Sequence, residues 1–147
     1  MDTRIAEYLS AHHAAAMITL RPDGRPHAVR CGIALVDGKL WSSGRADRVR
    51  THYVRRDPRA TLFVFGTEGA DQFSYLALDA LVTILDGPDA PELNRRLFTV
   101  MQARMSPPEG TLFWERTPRS IDEFLRIMAA ERRLIYEFEI TGSHGLF

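Results

Sequence analysis

Two turn signals near the amino terminus constrain the fold more than any other feature of the sequence. An apolar run, Ala14–Leu20, ends at the Arg-Pro-Asp-Gly segment of residues 21–24, and a second run covers about Pro26–Val36. Asp37-Gly38 then leads directly into residues 39–43. Proline presets the φ angle of a turn, glycine accepts positive φ, and Asp-Gly between apolar runs is typical of a two-residue hairpin. The pattern therefore predicts three consecutive antiparallel strands.

Three further segments have the alternation or the β-branched and aromatic composition of strands, namely residues 60–65, 72–86 and 134–141. In the longest of them one face is apolar throughout (Leu76, Leu78, Ala80, Val82 and Ile84). Its other face mixes Tyr75, Asp79 and Thr83 with apolar residues, which suits contact with a partner as well as exposure in a monomer. Six strands with regular turns and inserted helices predict a mainly β fold, a closed or half-closed six-stranded antiparallel barrel.

The inserted helices are predicted at four places. The first is amphipathic and covers Thr3–Ala11, the second follows Asp47 as its N-cap and stops before Pro58, and the third covers residues 91–105. The fourth covers residues 120–130, where Ser120 and Glu123 form a capping box. The 147 residues contain no linker and suffice for one core, so we expect a single domain over residues 1–147.

The overall charge excludes a global electrostatic attraction to nucleic acid or to an anionic membrane. The 19 basic and 19 acidic residues cancel, so any positive site is local. The only cysteine, Cys31, excludes an internal disulfide framework. The first residues lack the pattern of a secretion signal, and Asp79 interrupts the longest apolar run. We therefore expect a cytoplasmic protein.

The helix that follows Asp47 concentrates positive charge. On a helical wheel Arg50 falls in the apolar sector (with Ala46, Val49, Tyr53 and Val54), whereas three basic residues lie on the opposite side (Arg48, His52 and Arg55). A buried guanidinium without a partner is costly, and the start of a helix favours phosphate. One hypothesis is therefore a phosphate site made by Arg50, Arg48 and the Ser42-Ser43-Gly44 loop.

A second interpretation of the same helix stays open on spacing alone. Arginine-rich helices commonly present a solvated face, and Arg50 would then extend past Val54 into water or pair with a carboxylate such as Asp57.

Motifs of known chemistry are mostly absent. The sequence has no phosphate-binding loop, no dinucleotide fingerprint and no nucleophile elbow, and the spacing of His12-His13 does not suit a metal site, so no metal is expected. Other candidates each have a structural alternative. Three histidines are candidate proton donors (His27, His52 and His144), Cys31 is a candidate thiol, and three aromatic residues are candidates for stacking on a planar ligand (Trp41, Phe73 and Trp114).

Four segments resemble a known family when they are taken in order: residues 16–27, 49–60, 75–85 and 131–134. The Leu-Arg-Pro-Asp-Gly turn and the Arg-Arg-Asp-Pro-Arg helix end are together fairly specific. From about Leu9 onward, the chain resembles the pyridoxamine-phosphate-oxidase-like split-barrel superfamily. Within it, the chain is most similar to the deazaflavin (coenzyme F-420)-dependent oxidoreductases of actinobacteria.

This resemblance implies a six-stranded, FMN-binding-protein-like split barrel that forms a homodimer, with a cofactor groove between the subunits. It implies that Arg50, with Arg48 beside it, binds the cofactor phosphate. It also implies that Ser42 and Ser43 lie near the cofactor chain, that the segment from His27 to Arg30 lies beside the ring system, and that Phe73 lies on the partner side. Arg30 and Cys31 depart from the family pattern, which expects smaller or neutral polar residues there.

The resemblance implies an oxidoreductase that passes hydride from a reduced deazaflavin to an electron-poor organic substrate. FMN is the alternative cofactor, and a non-catalytic cofactor carrier, or a haem-binding relative that uses His144, is the alternative class. Oxidation of pyridoxamine phosphate itself is not expected, because enzymes with that activity normally have a longer carboxy-terminal part. Residues 65–71 and 106–118 are predicted to be loops that shape the substrate side of the groove.

Overall fold

Six strands close into one barrel, which confirms the mainly β, six-stranded antiparallel architecture. The structure, a computed structural model, describes residues 1–147. The barrel strands are β1 (Ala14–Leu20), β2 (Pro26–Val36), β3 (Lys39–Arg45), β4 (Arg59–Phe65), β5 (Tyr75–Leu85) and β8 (Arg133–Leu146). They are ordered β1-β2-β3-β8-β5-β4, every neighbouring pair is antiparallel, and β4 pairs again with β1 to close the ring.

Four helices and a small hairpin complete the fold. The helices are α1 (Thr3–Ala11), α2 (Val49–Arg56), α3 (Ala90–Met101) and α4 (Ile121–Ala130), and the hairpin pairs β6 (Thr111–Trp114) with β7 (Thr117–Ser120). Ser120 accepts a hydrogen bond from the backbone amide of Glu123 at 3.2 Å, as the capping box predicts. No helix combines the length and the apolar character that a membrane crossing requires.

The structure corrects several predicted boundaries. The residue that caps α2 is Arg48 rather than Asp47, whose carboxylate instead pairs with Arg45 at 3.0 Å. β5 begins at Tyr75 rather than at residue 72, because residues 69–73 form a 3-10 helix. α3 ends at Met101 and is followed by a short 3-10 turn.

Two segments predicted as irregular are strands. The β6–β7 hairpin, residues 111–120, occupies most of the predicted loop of residues 106–118. Its turn uses Glu115 (φ 51°) and Arg116 (φ 65°), residue types that give no turn signal in a sequence. The tail after residue 141 continues β8, which pairs with β5 as far as Leu146 and passes a bulge between Asp79 and Ala80. The glycines of this tail weaken the strand pattern, so the sequence did not predict that β8 extends through it.

The main core lies inside the barrel. Its largest fully buried side chains include Tyr136, Met17, Leu62 and Leu78, and full burial of an apolar side chain of this size contributes roughly 1.5–3 kcal/mol. A second cluster packs Trp41 and its neighbours against α3, and a third lies beneath α4 and the small hairpin. The helices α3 and α4 thus cover one outer side of the barrel.

The connectivity places α2 across one end of the barrel. It links β3 to β4, which are three places apart in the ring of six strands and therefore lie on opposite sides. Thr51 and Val54 of α2 are buried beneath it, whereas Ile5, Tyr8 and Leu9 of α1 join the same core from the other end. A side chain on α2 can therefore contact both the barrel interior and the outer surface of β2.

A polar network joins α1 to the segment between β4 and β5. His12 Nδ1 donates a hydrogen bond to the Tyr8 carbonyl oxygen at 2.8 Å, and His12 Nε2 lies 2.5 Å from an oxygen of the Asp71 carboxylate. Ser74 donates to the other oxygen of Asp71 at 2.8 Å, and the Tyr8 hydroxyl lies 2.8 Å from Ser74 Oγ. The hydrogen bonds from His12 and Ser74 lower the pKa of Asp71 from its usual value.

We expect Asp71→Asn to reduce the loss of stability in acid. Because the pKa of Asp71 is lower in the folded chain than in the unfolded chain, its contribution is present above about pH 3.9 and disappears as pH falls through the folded value. Urea unfolding at neutral pH and at about pH 3 should therefore give a smaller difference for the variant than for the wild type. The matched control is Glu109→Gln, an exposed carboxylate, and equal acid sensitivity in Asp71→Asn and the wild type would contradict the prediction.

Candidate functional site

A cavity of about 300 Å³ lies where α2 begins beside the outer end of β2. Six residues line it: His27, Val29, Arg30, Arg48, Val49 and Arg50. Four of the predicted cofactor residues, His27, Arg30, Arg48 and Arg50, therefore share one cavity although 23 positions separate the first from the last. Three guanidinium groups and an imidazole in one cavity make it suited to an anion.

Arg50 is the central residue of this cavity. Its Nη2 donates a hydrogen bond to the backbone carbonyl oxygen of Ser43 at 3.2 Å, and its Cζ lies 5.2 Å from the centre of the Tyr136 ring. Its Nη1 is buried and has no hydrogen-bond partner. Asp57, the carboxylate that the alternative interpretation assigned to Arg50, instead pairs with Arg59 at 2.8 Å. The structure thus leaves one buried donor of a permanent cation without a partner, on a side chain that lines the cavity.

His27 has a second unsatisfied atom in the same cavity. Its Nδ1 is buried without a hydrogen-bond partner, and its ring contacts Tyr53 of α2 edge to face, with the two ring centres 5.4 Å apart. The two residues that carry these unsatisfied nitrogen atoms, one on β2 and one on α2, thus line the same small cavity. Buried polar atoms without a partner are uncommon unless a ligand, ion or water completes them.

The remaining predicted site residues lie elsewhere. Ser42 is fully buried and its hydroxyl donates to the carbonyl oxygen of Gly32 at 2.7 Å, while the Ser43 hydroxyl donates to Asn94 at 2.5 Å. Neither serine side chain lines the cavity, although the backbone of Ser43 holds Arg50. Phe73 is 75% exposed in the 3-10 helix before β5 and also lies outside the cavity.

A shallower depression of about 580 Å³ continues the cavity along β2. Arg30 lines both, and the depression adds His13, Cys31, Gly32 and Thr67 together with Ala14. His13 Nδ1 donates to the carbonyl oxygen of Ile33 at 2.9 Å, and burial lowers the pKa of this imidazole. Burial also raises the pKa of the Cys31 thiol, which keeps it protonated near neutral pH and disfavours a role as a reactive thiolate.

The other candidate residues are not part of either cavity. Trp41 packs in the cluster beneath α3, and Trp114 packs edge to face against Phe98 and Phe124, so both tryptophans are core residues. His52 is exposed on α2, and His144 is exposed beside Tyr75 on the outer face of the barrel. No three side chains of His, Cys, Asp or Glu cluster closely enough to hold a metal ion.

Two residues beside Arg50 were given no binding role from the sequence. Val49 lies in the apolar sector of the α2 wheel, yet it is 46% exposed and lines the cavity. Tyr136 is recognisable only as one more inward residue of an alternating strand, and its contact with Arg50 depends on the closure of the barrel.

Comparison with known proteins gives a family and a fold. A family model described as "Pyridoxamine 5'-phosphate oxidase" matches residues 1–124. No curated protein matches the chain. Among solved structures, the conserved hypothetical protein Rv2991 from Mycobacterium tuberculosis has a TM-score of 0.75 at 18% identity, over 99% of this chain and 84% of that one.

Two further solved structures carry descriptions of a bound cofactor or an activity. An F420 reductase has a TM-score of 0.65 at 18% identity and covers 94% of both chains. An FAD-binding protein from Mesorhizobium loti has a TM-score of 0.64 at 15% identity, over 99% of this chain and 94% of that one. At these identities the likeness concerns the fold.

We expect inorganic phosphate to stabilise the wild-type protein through Arg50. A ligand that binds only the folded chain raises its melting temperature with concentration, so phosphate titrated at constant ionic strength should raise the melting temperature. In Arg50→Gln this shift should largely disappear, because the buried donor is lost.

The matched control is Arg55→Gln, which removes the same charge from the same helix. Arg55 pairs with Asp86 at 2.8 Å and does not line the cavity, so this variant should keep the wild-type shift. Equal phosphate shifts in Arg50→Gln and the wild type would exclude Arg50 as an anion ligand.

Proposed function

The chain belongs to the pyridoxamine 5'-phosphate oxidase family, and from this premise we propose that it is an oxidoreductase that binds a flavin-type cofactor. The cofactor that we propose is the deazaflavin coenzyme F-420 in its reduced form, and the substrate class is an electron-poor organic acceptor of hydride. FMN, which has a similar tricyclic ring and a phosphate, is the alternative cofactor.

The observation that carries this proposal is the unsatisfied guanidinium of Arg50. Its Nη1 is buried without a partner, and its side chain lines a cavity together with two further arginines, Arg30 and Arg48. Leaving a buried charged donor unpaired costs free energy, whereas a phosphate in the cavity would satisfy it by a charge-assisted hydrogen bond. Because this need is for a phosphate-like anion, the residues present fit the phosphate of a flavin-type cofactor.

The cavity and the adjoining depression together form a groove, and this groove has room for a ligand that is longer than its phosphate group. His27 lies in the cavity and Gly32 in the adjoining depression, five positions apart on β2, which is roughly 17 Å along an extended strand. Arg30 joins the two parts. We propose that the ring system lies along this part of β2 and that Ser42 and Ser43 support the groove mainly through the contacts of their hydroxyl and backbone groups with the protein.

The chain's own residues bind and orient in this proposal. When bound, the reduced cofactor supplies the reactive carbon and the hydride, which agrees with the lack of a catalytic triad or a metal cluster in the chain. Arg50, Arg48 and His27 hold the phosphate end, and the walls of the groove exclude water and fix the approach of the acceptor. No residue of the chain is assigned the transfer of a proton.

We also propose that a second copy of the chain covers the outer face of β1, β4 and β5, which no helix covers. Phe63 is 37% exposed there and stacks on Tyr75, with ring centres 5.2 Å apart, and Leu81 and Leu146 are also exposed. These exposed apolar side chains share the face with Asp79 and Thr83 and favour an interface there, and the family resemblance implies a homodimer. Phe73 projects from the segment before β5 and would lie near the edge of that interface.

The cofactor proposal is tested by titrating coenzyme F-420, FMN and haem separately into the purified protein. We expect saturable quenching of deazaflavin fluorescence. Charge-assisted hydrogen bonds to phosphate contribute roughly 1.5–3 kcal/mol, so Arg50→Ala should weaken this binding by about tenfold or more. Arg55→Ala should leave the affinity unchanged.

Each other outcome of that titration has a defined meaning. A protein that is purified yellow with flavin absorbance, or that binds only FMN, supports the alternative cofactor. Binding of haem alone would contradict the flavin-type proposal. Faster oxidation of reduced coenzyme F-420 by a quinone or an activated alkene than in buffer is expected, and an unchanged rate with a bound cofactor would indicate a carrier instead of an enzyme.

We expect Phe63→Glu to dissociate the homodimer. A carboxylate introduced among the exposed apolar side chains of the proposed interface would lose its hydration when two copies associate, so association should weaken strongly. Analytical ultracentrifugation measures the change. Met105→Glu, a substitution of an exposed apolar residue away from this face, is the control, and a wild type that sediments as a monomer would contradict the proposal.

A further inference from the structure

Tyr136 lies in the barrel interior beneath the anion cavity. It is fully buried on β8, and its ring passes so close to Gly44 of β3 that a Cβ atom there would lie 2.3 Å from its Cζ. Glycine at position 44 therefore makes room for the ring. Gly44 and the Tyr136 ring lie at the end of the barrel that α2 crosses.

The hydroxyl of Tyr136 fixes α2 to two strands. Thr51 Oγ1 donates to the backbone carbonyl oxygen of Arg45 on β3 at 2.7 Å. Because the hydroxyl hydrogen of Thr51 is already donated to Arg45, the Tyr136 hydroxyl acts as the donor to Thr51 Oγ1, at 2.5 Å. Thr51 is itself fully buried. The residue that follows Arg50 in α2 is thus tied to β8 and β3 by one chain of hydrogen bonds.

The ring of Tyr136 supports the guanidinium of Arg50 directly. The Cζ of Arg50 lies 5.2 Å from the ring centre, within the range of a cation–π contact, and the ring shields that side of the cation from water. The Ser43 carbonyl oxygen accepts a hydrogen bond from Nη2. Two contacts thus set the orientation of the group, whose Nη1 has no hydrogen-bond partner in the protein and whose side chain lines the cavity.

We propose that Tyr136 is a positioning residue of the anion site: its aromatic face holds the Arg50 guanidinium in the orientation that receives a phosphate group. Its hydroxyl, through Thr51, fixes the helix turn that carries Arg50. This inference rests on the phosphate site of the proposed function. It requires that the ring matters more for anion affinity than the hydroxyl does.

The test compares two replacements of Tyr136 with inorganic phosphate as the probe. Tyr136→Phe keeps the ring and should retain the dissociation constant for phosphate within about threefold, whereas Tyr136→Leu removes the ring and should weaken binding by about tenfold. Phe138→Leu is the matched control, because Phe138 is a buried aromatic residue on the same strand in the same core. It should retain wild-type affinity, and an equal loss in Phe138→Leu would mean that any core cavity weakens the site.

A double-mutant cycle separates positioning from general damage. If Tyr136 acts through Arg50, the Arg50→Gln/Tyr136→Leu variant should bind phosphate no more weakly than Arg50→Gln alone. If the two substitutions acted independently, their fold-changes in the dissociation constant would multiply. Unchanged affinity in Arg50→Gln would overturn the proposed site itself. A loss in Arg50→Gln with wild-type affinity in Tyr136→Leu would overturn only the role of Tyr136.

A spectroscopic signature decides the question if Tyr136→Leu does not fold. Phosphate that binds Arg50 above the ring should perturb the near-ultraviolet circular dichroism of a buried tyrosine in the wild type. The same titration of Tyr136→Phe should lack this change while it keeps the phosphate-dependent rise in melting temperature. An identical spectral change in Tyr136→Phe and the wild type would overturn the inference.

Discussion

The site depends on a cation that the fold holds without an anion of its own. Arg50 is partly buried, its Nη1 has no partner, and the carboxylate at the end of its helix, Asp57, is engaged by Arg59. Several other arginines pair with acids on the surface, as Arg55 does with Asp86. Such exposed pairs contribute little to stability, whereas an unpaired buried guanidinium subtracts from it. The buried and unpaired Nη1 of Arg50 is therefore the feature that most needs a functional explanation.

The barrel topology explains how this cation is held in place. Since β3 and β4 lie on opposite sides of the ring, α2 must cross an end of the barrel, and its first turn lies above the inward side chains of β8. Tyr136 reaches this turn because Gly44 has no Cβ. The same crossing brings α2 beside β2, where His27 contacts Tyr53. The Arg50 guanidinium of α2, the Tyr136 ring of β8 and the His27 imidazole of β2 thus come together from three separate elements.

The strand pattern predicted most of the fold, because turn chemistry and alternation are local. Ala14–Leu20 and Pro26–Val36 were predicted to the residue, and Arg50 was singled out by its place in an apolar sector. The features that the sequence did not predict depend on contacts between distant residues or lack a local sequence signal. The hairpin at Glu115 and Arg116 turns without glycine or asparagine, the extended β8 is stabilised by pairing with β5, and the role of Tyr136 appears only when the barrel closes. The placement of Ser42 and Ser43 beside the cofactor and of Phe73 across the groove stays a prediction.

An unsatisfied cation also explains why the site consists of so few residues. Stability is lost where Nη1 is left unpaired, so the ligand that restores the missing hydrogen bond gains that free energy on binding. The remaining elements need only keep the guanidinium from finding another partner: Ser43 takes Nη2, the Tyr136 ring covers one face, and Thr51 holds the helix. None of the three groups that make these contacts carries a negative charge. A carboxylate in any of these places would stabilise the empty protein more and would compete with the phosphate, so the neutrality of the supporting residues is part of what allows the site to bind an anion.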